Sequence, residues 1–192
     1  VSNRKFNGAV LDITTLPTEP DHERTFHLDL IAPDDLKTAV MAVPEGSDIP
    51  VDITVHSLID GVLFQANATV DLHAECVRCL DPIKISRDID VSEMFFTPEA
   101  IARMRDEHGD EGVEGLEVLE GDKIELEPLL RDNIVTSFPY QPLCSQDCQG
   151  LCDVCGEKWA NLPDDHKHEL LDPRFAKLAG FFDKVDSEQK ES

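Results

Sequence analysis

From Ile49 onward, apolar and polar residues alternate through "IPVDITVHSLIDGVLFQANATVDLHAECVRCL". Ile49, Val51, Ile53 and Val55 share one face, and Val70, Leu72 and Ala74 continue the alternation up to Cys76. A period of two buries one face and wets the other, as an antiparallel sheet does and a helix cannot. Asp60-Gly61 falls between apolar runs and predicts a hairpin turn. Upstream, "RTFHLDLI" alternates Phe26, Leu28 and Leu30; downstream, "DPIKISRDIDV" offers another strand behind the Asp81-Pro82 break. Residues 24 to 96 are therefore expected to form an antiparallel domain of about five or six strands.

The pattern changes at Pro98. Between Glu99 and Glu127 lie eleven acidic residues interrupted by four glycines. Pro98 suits the first turn of a short helix. The remainder reads as an acidic loop, either simply solvated or a decoy for a basic partner. Helical spacing returns in "ELEPLLRDNIVTSFPY", with Leu126, Leu130, Ile134 and Phe138 near one face. In "LDPRFAKLAGFFDKV", Asp172 suits an N-cap and Pro173 the first helical position, and Phe175, Leu178, Ala179 and Phe182 form an apolar stripe. The expected class is α+β: a mostly antiparallel β domain (1–97), an acidic loop or linker (98–127), a helix, Cys-rich zinc-binding segment and C-terminal helix (128–185), and a disordered tail (186–192).

Charge limits the partners. Seventeen Lys and Arg face forty Asp and Glu, a formal net charge of -23. Long-range attraction to a phosphate backbone is weak or repulsive at such a balance, so RNA contact would need a local basic spot. Arg78, Lys84 and Arg87, close together in sequence around the first cysteine pair, are candidates, with ordinary surface charge as the alternative. No apolar run suggests a signal peptide or a membrane span, and reduced thiols in a cytoplasmic protein are the expectation.

All six cysteines fall into two groups. "CSQDCQGLCDVCG" places Cys144, Cys148, Cys152 and Cys155 within one short segment. Cys152-Asp-Val-Cys155-Gly156 has knuckle spacing: two intervening residues let both sulfurs reach one ion, and the glycine permits a tight turn. Cys144 and Cys148 are close enough to complete a closed four-thiolate zinc site. Cys76-Val-Arg-Cys79 is a second pair, read either as metal ligands or as small thiols packed at a strand end. His166 and His168 bring the count to eight donors, enough for two tetrahedral sites, unless the His-x-His is only solvated sequence. A closed zinc site folds a segment and leaves no position for substrate. No P-loop, nucleophile elbow or dinucleotide fingerprint is present, so a non-enzymatic protein is expected.

Three stretches together resemble the YceD proteins: "ECVRCLDPI" (75–83), "PLCSQDCQGLCDVCGEKWANLP" (142–163) and "HKHELLDPRFAKL" (166–178). The His-x-His form is similar to the actinobacterial branch, where it stands in place of Cys-x-Cys; this implies ligation by His166 and His168. Phe175 stands where Trp is expected in that branch. The resemblance implies a ribosome biogenesis factor for accumulation of 23S rRNA, acting on a large-subunit precursor or a basic ribosomal protein. Large-subunit protein thirty-two, whose gene commonly neighbours this family's, is the natural example. Two other readings remain: a metal-dependent nuclease using His166 and His168 with Asp164 or Asp165 and a bound water, and a redox module using Cys76 and Cys79.

Overall fold

A computed structural model describes residues 4–168. The helix expected from Asp172 and the tail at 186–192 lie outside the described residues. The elements are β1 (Arg4–Lys5), β2 (Val10–Asp12), β3 (Glu23–Ile31), β4 (Met41–Ala42), β5 (Asp48–Leu58), β6 (Gly61–Glu75) and β7 (Pro82–Phe96). They continue with α1 (Pro98–His108), β8 (Glu117–Val118), β9 (Lys123–Glu125) and α2 (Leu126–Thr136).

The alternating stretch becomes the centre of a seven-stranded sheet in the order β1-β3-β5-β6-β7-β8, with β4 also on β6. β3, β5, β6 and β7 pair antiparallel in continuous register, Val51 opposite Ala68 and Ala66 opposite Val91. One face carries Ile49, Val51, Ile53, Val55, Phe64, Val70 and Leu72, all at most 1% exposed. The other face is polar: Thr69 donates to Asp88, and Asn67 bonds Asp90. The mostly antiparallel, α+β class read from the sequence is the one observed.

Gly61 opens β6 where β5 turns back, its backbone pressed against β7. A Cβ there would meet the Phe95 carbonyl oxygen at 1.9 Å. Only glycine allows that approach.

The acidic stretch is more ordered than a loop. Thr97 Oγ1 accepts from the Ala100 N–H at 3.2 Å, and Pro98 opens α1, the start its position suggests. Arg103 pairs with Asp60, tying α1 to the β5–β6 turn. β8 then adds in parallel to the end of β7, and β9 pairs with β2 in a second, two-stranded sheet. Ile124 in β9 is 1% exposed, and Leu126, Leu130 and Ile134 of α2 are 0% exposed. The many charges hide these few anchors: burying each apolar side chain is worth about 1.5–3 kcal/mol, enough to order an otherwise hydrophilic segment.

The chain divides into two compact units, Val1–Cys148 and Gln149 onward. The break falls inside the cysteine-rich stretch, neither at 97/98 nor at 127/128. The physical reason is the apolar stripe of α2, which finds its cover in the core of the sheet unit. Arg131, on the polar side of α2, bonds Asp35 and Glu127 at 3.1 Å each and lies over the Phe6 ring.

Candidate metal centre

Cys76 and Cys79 sit in the connection between β6 and β7. The Cys76 N–H donates to the Asp81 carbonyl (2.8 Å), and the Leu80 N–H donates to the Cys76 carbonyl (2.9 Å). In the second unit the same two bonds recur: Cys152 N–H to Glu157 carbonyl (2.7 Å), Gly156 N–H to Cys152 carbonyl (2.8 Å). Both turns place the residue after the second cysteine in left-handed backbone, Leu80 at φ 60° and Gly156 at φ 73°. Cys76–Asp81 and Cys152–Glu157 are therefore two copies of one knuckle. The sequence shows the second plainly through its glycine and disguises the first with a leucine.

Each knuckle collects two further donors. Cys144 and Cys148, following α2, join Cys76 and Cys79, with all four sulfurs within 4.8 Å of one another. Cys76 Sγ lies 3.8 Å from Cys148 Sγ, and Cys79 Sγ lies 3.6 Å from Cys144 Sγ. A tetrahedron with Zn–S bonds of about 2.3 Å has edges of about 3.8 Å, whereas a disulfide needs about 2.05 Å. Two hydrogen bonds hold the segments together: Val77 N–H to the Pro142 carbonyl (3.0 Å), and the Arg78 guanidinium Nη1 to the Cys148 carbonyl (2.8 Å).

In the second unit, His166 and His168 join Cys152 and Cys155. Cys155 Sγ is 3.6 Å from His166 Nε2, matching the edge of about 3.6 Å for one thiolate and one imidazole on zinc. The His168 ring packs edge-on to His166 at 4.4 Å, and its Nε2 is buried with no hydrogen-bond partner. An orphaned buried nitrogen is costly, and a coordinated cation would satisfy it. Trp159 packs edge-on against His166 at 5.6 Å.

The structure thus corrects the expectation of one four-thiolate site within 144–155. That stretch is shared, two cysteines to each centre. The alternative set of His166 and His168 with Asp164 or Asp165 is not the grouping found among the described residues.

The electrostatics of the thiols favour a cation. Burial raises the Cys76 pKa, but backbone N–H groups of Cys144, Cys79 and Arg78 outweigh it and hold the thiol down at about 6. The Asp81 N–H pulls Cys79 down, yet burial and the Cys76, Cys144 and Cys148 sulfurs push it up to about 12. Cys144 is raised chiefly by Cys148. Cys152 is lowered, first by the N–H groups of Cys155 and Val154. N–H groups aimed at the first sulfur of each knuckle stabilise thiolate, while crowding stops all four sulfurs ionising by themselves. A divalent ion held by the four donors would resolve that conflict.

The three basic candidates do not form one spot. Arg78 is engaged with the Cys148 carbonyl. Lys84 and Arg87 lie an odd number of residues apart on the unbulged β7, and so project from opposite faces. The exposed surface around the first knuckle is partly apolar, with Val77 42% and Leu80 59% exposed.

Fold and site together define a sheet protein with one knuckle-built, four-donor cluster per compact unit. A family model described as "Large ribosomal RNA subunit accumulation protein YceD" matches residues 64–182. The chain belongs to the YceD family. An uncharacterized protein of Mycobacterium tuberculosis is 32% identical over 168 residues, 88% of this chain and 78% of the relative. One from Mycobacterium leprae is 30% identical over 139 residues, 72% of this chain and 61% of the relative. The uncharacterized protein YlbN of Bacillus subtilis is 25% identical over 118 residues, 61% of this chain and 64% of the relative. No solved structure matches the chain. Among the described residues no helix is long and apolar enough to cross a membrane.

Proposed function

We propose that this protein is a non-enzymatic factor for accumulation of 23S rRNA, with two structural zinc ions, working in the cytoplasm during large-subunit assembly. The observation that carries this reading is the division of six cysteines and His166 and His168 into two four-donor sets. All-sulfur and mixed sulfur–imidazole sets of four suit zinc, and a four-donor protein site leaves no position for a reactive water. The family description supplies the link to large-subunit rRNA.

With a net charge of -23, the partner that suits the body of the protein is a basic ribosomal protein or an early large-subunit particle bearing one. Large-subunit protein thirty-two is the first to test. The division of the basic candidates supports recognition through protein more than through RNA.

Deletion of the gene should lower mature 23S rRNA, and the wild-type gene should restore it. Purified protein incubated with precursor rRNA should leave it intact; metal-dependent cleavage that is lost in a Cys155→Ser variant would establish the nuclease reading instead. Unchanged 23S rRNA in the deletion strain would refute the assembly reading.

A further inference from the structure

A groove of about 750 Å³ runs along the edge of the sheet unit, between the end of β7, β8, β9 and the start of α2. Its floor is apolar: Phe95, Ile124 and Leu129, with Val10 and Val118 at its sides 37% and 40% exposed. Its rim is acidic, carrying Glu93, Glu117, Glu120, Glu125 and Asp132 against Lys123 alone. Among the described residues none of these five carboxylates forms an ion pair, in contrast to Asp35, Asp60 and Glu127 of the same unit. β8 covers β7 only at Phe95 and Phe96, so the rest of the β7 edge has no strand beside it among the described residues.

We propose that this groove binds an extended, lysine- and arginine-rich protein segment carrying an apolar residue. The acidic rim repels phosphate, which argues against RNA as the occupant. The apolar floor asks for a side chain, which argues against a bare cation. An uncovered strand edge accepts extended backbone, and the rim supplies charge complementarity to basic side chains on either side of the apolar anchor. Gly115, at φ 77°, lies just before β8 and lines the groove. The proposal deepens the assembly reading, on which it rests for its biological setting, by giving a basic partner a place to dock.

The test uses the full chain and a short fluorescein-labelled Lys/Arg-rich peptide with a central leucine, followed by anisotropy at physiological salt. The triple variant Glu93→Gln/Glu117→Gln/Asp132→Asn should weaken binding about tenfold, the combined effect of three partly exposed ion pairs. A control with the same charge change on the polar sheet face, Asp52→Asn/Asp71→Asn/Asp88→Asn, should shift it less than about twofold. Because Glu93 is half-buried, Glu120→Gln/Glu125→Gln, at exposed positions, serves as a second groove variant that spares the fold. Replacing the central leucine by serine should also weaken binding. Equal losses in groove and control variants, or preference for a single-stranded RNA oligomer over the peptide, would overturn the proposal. Failure of the peptide to bind while gene deletion still depletes 23S rRNA removes the groove and leaves the assembly reading. Groove-dependent binding in a protein whose deletion leaves 23S rRNA unchanged does the reverse.

Discussion

The matched knuckles make a reciprocal prediction about two residues whose side-chain positions are open. Gly156 has φ 73°, and a Cβ built on it meets no heavy atom within 4 Å. Gly156→Ala therefore isolates a backbone cost. Left-handed conformation costs an L-residue about 1–2 kcal/mol, and the stiffer unfolded chain returns about 0.4–1 kcal/mol. The net loss is about 1 kcal/mol. Because order in a small metal-bound segment is coupled to its ion, that loss should appear as zinc affinity about fivefold weaker at the second centre. Leu80 holds the same position at φ 60° and is 59% exposed, so Leu80→Gly sacrifices little burial. It should relieve a similar strain and tighten the first centre by about twofold to fivefold. Chelator competition reads both, with Cys79→Ser as background to isolate the second centre and Cys155→Ser to isolate the first. Cobalt substitution identifies each, since the site with more thiolates gives the stronger charge-transfer band. Unchanged affinity for Gly156→Ala, or weaker affinity for Leu80→Gly, would refute the equivalence of the two turns.

Elemental analysis of protein purified under reducing conditions should find two zinc ions per chain, with Cys79→Ser losing one and Cys155→Ser the other; loss of both from either variant would contradict separate centres. Gly61→Ala should destabilise the sheet unit by about 2–3 kcal/mol in chemical denaturation, since the new methyl meets the Phe95 carbonyl and the strands must shift. The Asp12 carboxyl is held below the usual range, first by the Thr14 hydroxyl and then by the Thr14 N–H. Its contribution to stability is thus present above the ordinary carboxylate range and lost as pH falls through the lowered value. Thr14→Val should raise the Asp12 pKa part of the way back, measured by NMR titration, with the remaining N–H bond accounting for what is left.

Strand alternation from Ile49 to Ala74, the Asp60-Gly61 turn and the apolar spacing of α2 were determined by the sequence itself, because each depends on a local period. The Cys152 knuckle was legible for the same reason: its spacing and its glycine sit within one turn. The order of the stretch from Pro98 to Glu127 was not, since it depends on isolated anchors such as Ile124 finding cover in a core assembled from distant strands. The sharing of ligands was decided only in three dimensions. Spacing along the chain shows that Cys144, Cys148, Cys152 and Cys155 are close, but four nearby thiols do not state which of them converge. Convergence depends on where the β6–β7 connection lies when Val77 bonds Pro142 and Arg78 bonds the Cys148 carbonyl. Leu80 is the sharpest instance: no local preference puts leucine in left-handed backbone, and only the surrounding structure holds it there.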